Sequence, residues 1–424
     1  MLNDFRPDED FGRELDAADP LRSFRDRFHI PRQANGQPVH YFTGNSLGLQ
    51  PVTTREAVIE ELDAWQRLAV DAHFEGAHPW FPYHENFRES GARIVGAQPG
   101  EVVMMNGLSV NLHLLMVSFY RPTKARHAIM MEAPAFPSDT YAAQTQLQFH
   151  GHDPATSLLR LEPREGEQTL RTDDIIARIA RDGDRTALLL LAGVNFLTGQ
   201  FFELAPIVQA AHAQGVVVGL DLAHAAGNVP LQLHDLGVDF AAWCTYKYLN
   251  SGPGAVAGAF VHQRHAADTS LPRFGGWWGN DPATRFRMQL EERFVAKPDA
   301  DGWQLSNPPI MAMAPMRASF AIFDEAGMPA LRQKSLKLTA YLEQLIDRIG
   351  TSIVQIATPR DPAQRGCQLS LRITDRPKER RKALQSAGVV CDFREPDIIR
   401  AAPVPLYNSF HDVWRFAHAL AALK

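Results

Sequence analysis

The sequence predicts an α/β fold: a mostly parallel sheet covered by helices, followed by a smaller α+β domain. Two observations carry that expectation. From about residue 100 to 260, short β-forming runs alternate with stretches of helical spacing. The runs are nearly unbroken in apolar character, which marks strands buried on both faces.

The β-forming runs are VVMM (102–105), HAIMME (127–132), TALLLLAGV (186–194) and VVVGLD (216–221). The clearest helix is ELAPIVQAAHAQ (203–214), ended by Gly215. The tail differs. Helical spacing over about 312–349 precedes two strand candidates, CQLSLRI (367–373) and VVCDFRE (389–395), and a last helix starts near Ser409. The expected division is therefore a large domain over 51–310 and a small α+β domain over 311–424. Residues 1–50 are too short and irregular to fold alone, and are expected to pack on the small domain or the cleft.

A chain of 424 residues can bury a core without staples. Its net charge of −5 calls for neither nucleic acid nor an anionic membrane surface. Three scattered cysteines, Cys244, Cys367 and Cys391, make neither a disulfide framework nor a structural zinc site, and no metal is expected. They fit a reducing, cytoplasmic compartment. The opening MLNDFRPDEDFGRELD lacks the apolar centre of a signal peptide. No apolar run reaches the ~18 residues of a membrane span.

The most informative stretch is VVVGLDLAHAAGN followed by DFAAWCTYKYLNSGPG. Asp221 closes a buried strand, and ligands of open α/β sheets bind just outside such strand ends. Lys247 follows another β-like run, FAAWCTY, and precedes a Gly/Pro turn. So apolar a setting favours the neutral amine that forms a Schiff base. Alone, Asp221 reads equally as a helix cap and Lys247 as a solvated turn lysine. Together they suit pyridoxal phosphate (PLP), which needs an amine for its aldehyde and a carboxylate beside its ring nitrogen. His224 could buttress Asp221 or touch the cofactor. Gly252, Gly254 and Gly258 loosely resemble a dinucleotide fingerprint, but a strand rather than a helix follows them.

NGLSVNLHLL (106–115) opens a helix after a strand. Its first turn makes Leu108 and Ser109 candidates for holding a phosphate, with an ordinary helix cap as the alternative. In APAFPSDTY (133–141), Phe136 could stack on a pyridine face or belong to the core. Ser138 and Asp139 stand at a helix start there.

These pieces resemble the kynureninases, a branch of the PLP-dependent aspartate aminotransferase superfamily (fold type I). The resemblance rests on YFTGNSLGLQP (41–51), NGLSVNLHLLMVSFYRPT (106–123), FPSD (136–139), DLAHAAGN (221–228), CTYKYLNSGPG (244–254), GGWWG (275–279), LSNPPI (305–310) and RAAPVPLYNSFHDV (400–413). They span nearly the whole chain. The resemblance implies a seven-stranded, mostly parallel sheet and a homodimer with shared sites. It implies that Lys247 carries the cofactor, Asp221 pairs with the ring nitrogen beside His224, and Phe136 stacks on the ring. Leu108, Ser109, Ser138, Asp139, Tyr246, Trp277 and Asn307 would help hold the cofactor, with Trp277 and Asn307 reaching it from the partner subunit. Arg400 would grip the substrate α-carboxylate. Asn45 and Ser46 would also meet the substrate. Ser109 stands where many relatives have threonine, which keeps the hydroxyl.

The implied reaction is hydrolysis of L-kynurenine or 3-hydroxy-L-kynurenine to an anthranilate and L-alanine. It would serve tryptophan breakdown or NAD synthesis via quinolinate. Lys247 would move the Cα proton, and Tyr246 is the candidate proton donor or relay. His73, Ser306 and Asn307 are read into the aryl pocket. They resemble the set of animal enzymes that favour the hydroxylated substrate, so 3-hydroxykynurenine is the expected preference. Two other readings compete. One stays within PLP chemistry, an aminotransferase or a desulfurase-like lyase; the desulfurases use a cysteine on a mobile loop, and Cys367 sits in a strand-like flank. A PLP-binding regulator would not need the set Lys247, Asp221, Tyr246 and Arg400 intact.

Overall fold

Helix Glu9–Ala17 opens the chain, with the Asp8 carboxylate accepting from the Phe11 N–H at its start. The computed structural model describes residues 5–268 and 270–422. The first strand, β1 (His40–Tyr41), pairs in parallel with β11 (Val389–Val390) near the other end of the chain.

A seven-stranded sheet occupies the middle of the chain. Its strands are β2 (Val102–Met104), β3 (Ala128–Glu132), β4 (Leu158–Leu161), β5 (Thr186–Ala192), β6 (Val217–Asp221), β7 (Phe240–Trp243) and β8 (Gly258–Val261). The order across the sheet is β2-β8-β7-β6-β5-β3-β4. Every pairing from β7 to β4 is parallel, and only β8 runs antiparallel to its neighbours β7 and β2. Side chains alternate across a strand. Leu189 and Leu191 of β5 therefore join one apolar cluster, while Leu188 and Leu190 join another on the opposite face. Both faces are buried, which is why the strands read as continuous apolar runs. Gly219 of β6 is fixed by packing: a Cβ there would lie 2.1 Å from the Phe240 ring of the next strand.

The C-terminal part carries a four-stranded antiparallel sheet, β9 (Val354–Ile356), β10 (Leu369–Ile373), β12 (Asp392–Arg394) and β13 (Ile398–Ala401), in the order β12-β13-β10-β9. A third apolar cluster holds Leu371 and Ile399 of this sheet with Leu338, Phe416 and, from the N-terminal segment, Phe42. The last helix, Phe410–Ala421, starts behind Ser409, whose hydroxyl accepts from the Asp412 N–H.

Several details depart from the sequence reading. The stretch 312–349 is two helices, Ile310–Ala326 and Met328–Ile349, because Gly327 takes φ +71° between them. VVCDFRE is two strands in two different sheets, parted at Cys391. FAAWCTY ends as a strand at Trp243, so Lys247 lies in the turn beyond it. β4 was not anticipated: LLRL is a half-exposed edge strand with no continuous apolar run. Among the described residues no helix is long and apolar enough to cross a membrane.

Candidate active site

β6 and β7 run parallel, with Asp221 opposite Ala242, so both open their C-terminal ends on one side of the sheet. A cavity of about 380 Å³ lies there. Its walls bring together Asn45, Ser46, Leu108, Ser109, Phe136, Ser138, Asp139, Asp221, His224, Tyr246, Lys247 and Arg400 from segments far apart in sequence.

The Lys247 amine lies 3.1 Å from His224 Nε2 and 5.7 Å from the centre of the Phe136 ring. Burial, then the charge of Lys247, pushes the His224 imidazole well below its ordinary value. A neutral ring that accepts from Lys247 at Nε2 carries its hydrogen on Nδ1. That Nδ1 is buried and has no partner in the protein, so it is a donor awaiting an acceptor. Asp221 accepts from the Ala223 N–H through Oδ1 at 2.6 Å, and its carboxylate also meets the side chain of Asp139. Phe136 stands edge-on to Phe196, with centroids 5.3 Å apart, and is 38% exposed, so a face remains open for stacking.

Helix Leu108–Phe119 begins at the cavity behind Gly107, and its first-turn N–H groups have no side-chain cap. Helix Pro137–Phe149 begins beside it. The Ser109 and Ser138 hydroxyls are 3.1 Å apart. Two uncapped helix starts and two hydroxyls form a phosphate cradle. The amine, the carboxylate, the orphan imidazole donor, the open aromatic face and this cradle together fit PLP.

Carboxyl groups gather behind Asp221. Asp139 is held well above its ordinary range, by burial first and then by the charge of Asp221. Glu132, at the end of β3, was missed by the sequence reading, although the strand-end rule that flagged Asp221 applies to it equally. Its Oε2 accepts from the Ala192 N–H at 3.2 Å. Burial pushes its carboxyl from 4.5 up to about 7. An acid raised in this way is neutral in the fold while already ionised in the open chain. Its contribution is complete below about 4.5 and is lost as pH rises to about 7. Glu132→Gln should therefore stabilise the holoenzyme relative to wild type by an amount that grows across that window, to about 3 kcal/mol, and is constant above it. Tm measured for both proteins from pH 4 to 9 checks this, and a gap independent of pH would contradict it.

The N-terminal segment closes over the lysine. Gly48 donates its N–H to the Tyr246 carbonyl at 2.8 Å, and a Cβ on Gly48 would lie 2.4 Å from the Lys247 carbonyl oxygen. Asn45, fully buried, gives its Nδ2 to Gln368 Oε1 at 2.8 Å, and its Oδ1 has no protein partner. Arg400 is 1% exposed and donates through Nη1 to the Phe196 carbonyl at 2.7 Å. Burial lowers its pKa to about 10, which leaves it charged near neutrality.

Four expected site residues do not line this cavity in the single chain. His73 ends a short helix, with Nδ1 3.0 Å from the Val70 carbonyl. Trp277 packs edge-on against Trp278. Ser306 and Asn307 are exposed in the loop before Ile310. His73, Ser306 and Asn307 thus lie outside the walls of this cavity in the single chain.

The family model for the kynureninase C-terminal domain matches residues 331–420. The kynureninase of Myxococcus xanthus is 59% identical over 98% of this chain and 97% of its own length. The chain belongs to the kynureninase family. The kynureninase of Koribacter versatilis is 55% identical over 99% of this chain and 98% of its own. That of Xanthomonas campestris pv. campestris is 58% identical over 94% of each. The protein is thus an enzyme, a hydrolase of carbon–carbon bonds that works with PLP.

Solved structures share the fold at low identity. The C-DES K223A mutant with glycine covalently linked to its PLP superposes with a TM-score of 0.76, at 16% identity, over 91% of this chain and 97% of that one. The cysteine desulfurase CsdA of Escherichia coli gives 0.74 at 16% identity, over 94% and 97%. Cys367 of this chain is fully buried, two residues before β10.

Proposed function

We propose that this enzyme cleaves the Cβ–Cγ bond of 3-hydroxy-L-kynurenine in preference to L-kynurenine, releasing L-alanine and a hydroxylated anthranilate. The observation that carries the reading is the convergence of Lys247, Asp221 and Arg400 on one cavity from separate elements.

PLP bound there supplies an electron sink for the substrate Cα. Arg400 holds the α-carboxylate, and Asn45 offers its unpartnered Oδ1 to a substrate N–H or O–H. The Lys247 amine, once free, takes the Cα proton. Asp221 would hold the ring nitrogen, with Asp139, whose carboxyl burial pushes well up, beside it. Leu108, Ser109 and Ser138 would hold the phosphate. Burial pushes the Tyr246 phenol above its ordinary range, so it keeps its proton near neutral pH and can donate it while water attacks the γ-carbonyl.

The remaining residues fit a homodimer with shared sites. Trp65, Val70, Phe74, Phe286 and Leu290 are each more than half exposed. The Phe74 and Phe286 rings meet at 5.7 Å, so two segments make one apolar face. His73 adjoins Phe74 on this face, Phe81 bridges Phe286 to Trp278, and Gly276 backs onto Leu305. His73, Trp277, Ser306 and Asn307 thus gather around a surface suited to a second copy, whose cavity they would complete. We read 51–310 as the large domain, 311–424 as the small one, and 1–50 as a segment packed on the small domain and over the cleft. Three free cysteines favour a reducing, cytoplasmic setting.

A polar aryl pocket selects for the ring hydroxyl because its buried groups are left unpaired by the plain substrate. Steady-state kcat/KM on both kynurenines should favour the hydroxylated one, in keeping with a route to quinolinate and NAD. His73→Trp should shift that ratio towards kynurenine by about 10-fold or more. An unchanged ratio would remove His73 from the pocket, and a wild-type preference for kynurenine would overturn the substrate reading.

A further inference from the structure

The cavity wall holds a charge arrangement the reaction does not require. Arg394 also lines it. Asp392, which precedes Arg394 on β12, lies directly opposite Arg400 of β13 in the antiparallel ladder. Its Oδ2 accepts from Arg394 Nε at 3.3 Å and Nη2 at 3.0 Å, and also from Arg400 Nη2. One carboxylate oxygen thus bridges two guanidinium groups. Arg400 retains a buried Nε with no protein partner.

We propose that Asp392 is a specificity-determining residue: it acts through Arg400 as a built-in counter-charge that weakens the grip on the α-carboxylate, so that the amino-acid product can leave. The inference rests on the reading of Arg400 as the carboxylate receptor.

Position does not need Asp392. Arg400 is already fixed by burial, by its strand, and by the Phe196 carbonyl at 2.7 Å. That carbonyl is itself braced by Gln368 Nε2 at 3.2 Å. Asp392 therefore contributes mainly charge. Two guanidinium groups and one carboxylate leave a single net positive charge facing an incoming carboxylate. Without Asp392 there would be two, in a setting where burial strengthens charge interactions. The β-ladder fixes the Asp392 backbone opposite Arg400, which keeps its carboxylate within reach of the guanidinium when a substrate carboxylate arrives. Phe196, Gln368, Asp392 and Arg394 carry no motif signal. Only the alternation Asp-x-Arg on a strand facing Arg400 could have drawn attention to the last two.

The test uses the holoenzyme and two probes that differ in one group, L-alanine and L-alaninamide, titrated through the visible absorption of the bound cofactor. The quantity read is the ratio of their affinities. Asp392→Asn should raise the preference for L-alanine by about 10-fold, and Arg394→Gln should lower it by about 3-fold or more. A general loosening of the site would move both variants in the same direction, so opposite signs are the signature. Arg400→Gln should bring the ratio close to that of a site blind to the carboxylate. If it does not, the carboxylate-receptor reading of Arg400 fails. If Arg400→Gln behaves as expected but Asp392→Asn leaves the ratio unchanged or lowers it, the counter-charge role is overturned. Should Asp392→Asn not fold, Arg394→Gln decides alone, and an unchanged or raised ratio there rejects the proposal.

Discussion

Lys247→Ala should cut kcat by about 10,000-fold and abolish the visible absorption of the lysine-bound cofactor. Two functions fall together. The amine anchors the cofactor, and it is the group placed to move a proton at the substrate Cα. The cavity offers no ready replacement. Burial keeps Asp139 and Tyr246 protonated, and His224 is a weak base pushed well below its ordinary value. Rate measurements under saturating PLP, with the absorption spectrum as a second readout, check the expectation. A residual kcat within about 100-fold of wild type would transfer the proton-moving role to His224, 3.1 Å away.

Asp221→Asn should lower kcat by about 1,000-fold, with a much smaller change in substrate KM. The substitution preserves shape and removes the charge that opposes a positive ring nitrogen. Asp139 sets the size of the effect. Its carboxyl is held well above its ordinary range because it is buried and because Asp221 lies beside it. Once Asp221 is neutralised, one of those two causes disappears, and Asp139 can take up part of the missing charge. The double variant with Asp139→Asn should therefore lose about a further 10-fold, more than Asp139→Asn alone costs in the wild-type background. Additive losses would mean that Asp139 does not stand in for Asp221.

Much of this site was legible from the sequence because strand ends are. Asp221 and Lys247 follow continuous apolar runs, and the sheet delivers both to one edge. Leu108, Ser109, Ser138 and Asp139 follow from helix starts behind strands. Other residues were only partly legible, for physical reasons. The strand-end rule reaches Glu132, but nothing local reveals that β3 finishes beside Ala192, two strands from Asp221. Arg400 is placed by pairing with Asp392 and with Ser370, a register that only tertiary structure decides. His73, Trp277, Ser306 and Asn307 were read as site residues from family resemblance alone, and in one chain they lie outside the cavity. The edge strand β4 and the break at Gly327 show the usual limit of pattern reading, where an edge strand alternates too little and one glycine divides a long periodic stretch.

The pairing of β1 with β11 has a consequence for the order in which the molecule can be made. His40 finds its partner only at Val389, and Phe42 settles among side chains from the final helix. The segment that lies on the Tyr246–Lys247 turn precedes the large sheet in the chain, yet part of its seat is supplied by strands and a helix that follow that sheet. Contacts this distant in sequence form late. A nascent chain therefore completes its large sheet, with lysine and aspartate in position, while the wall above them is still missing. During that interval the approach to the Lys247 amine is wider than in the finished fold, where Asn45 and Arg400 narrow it.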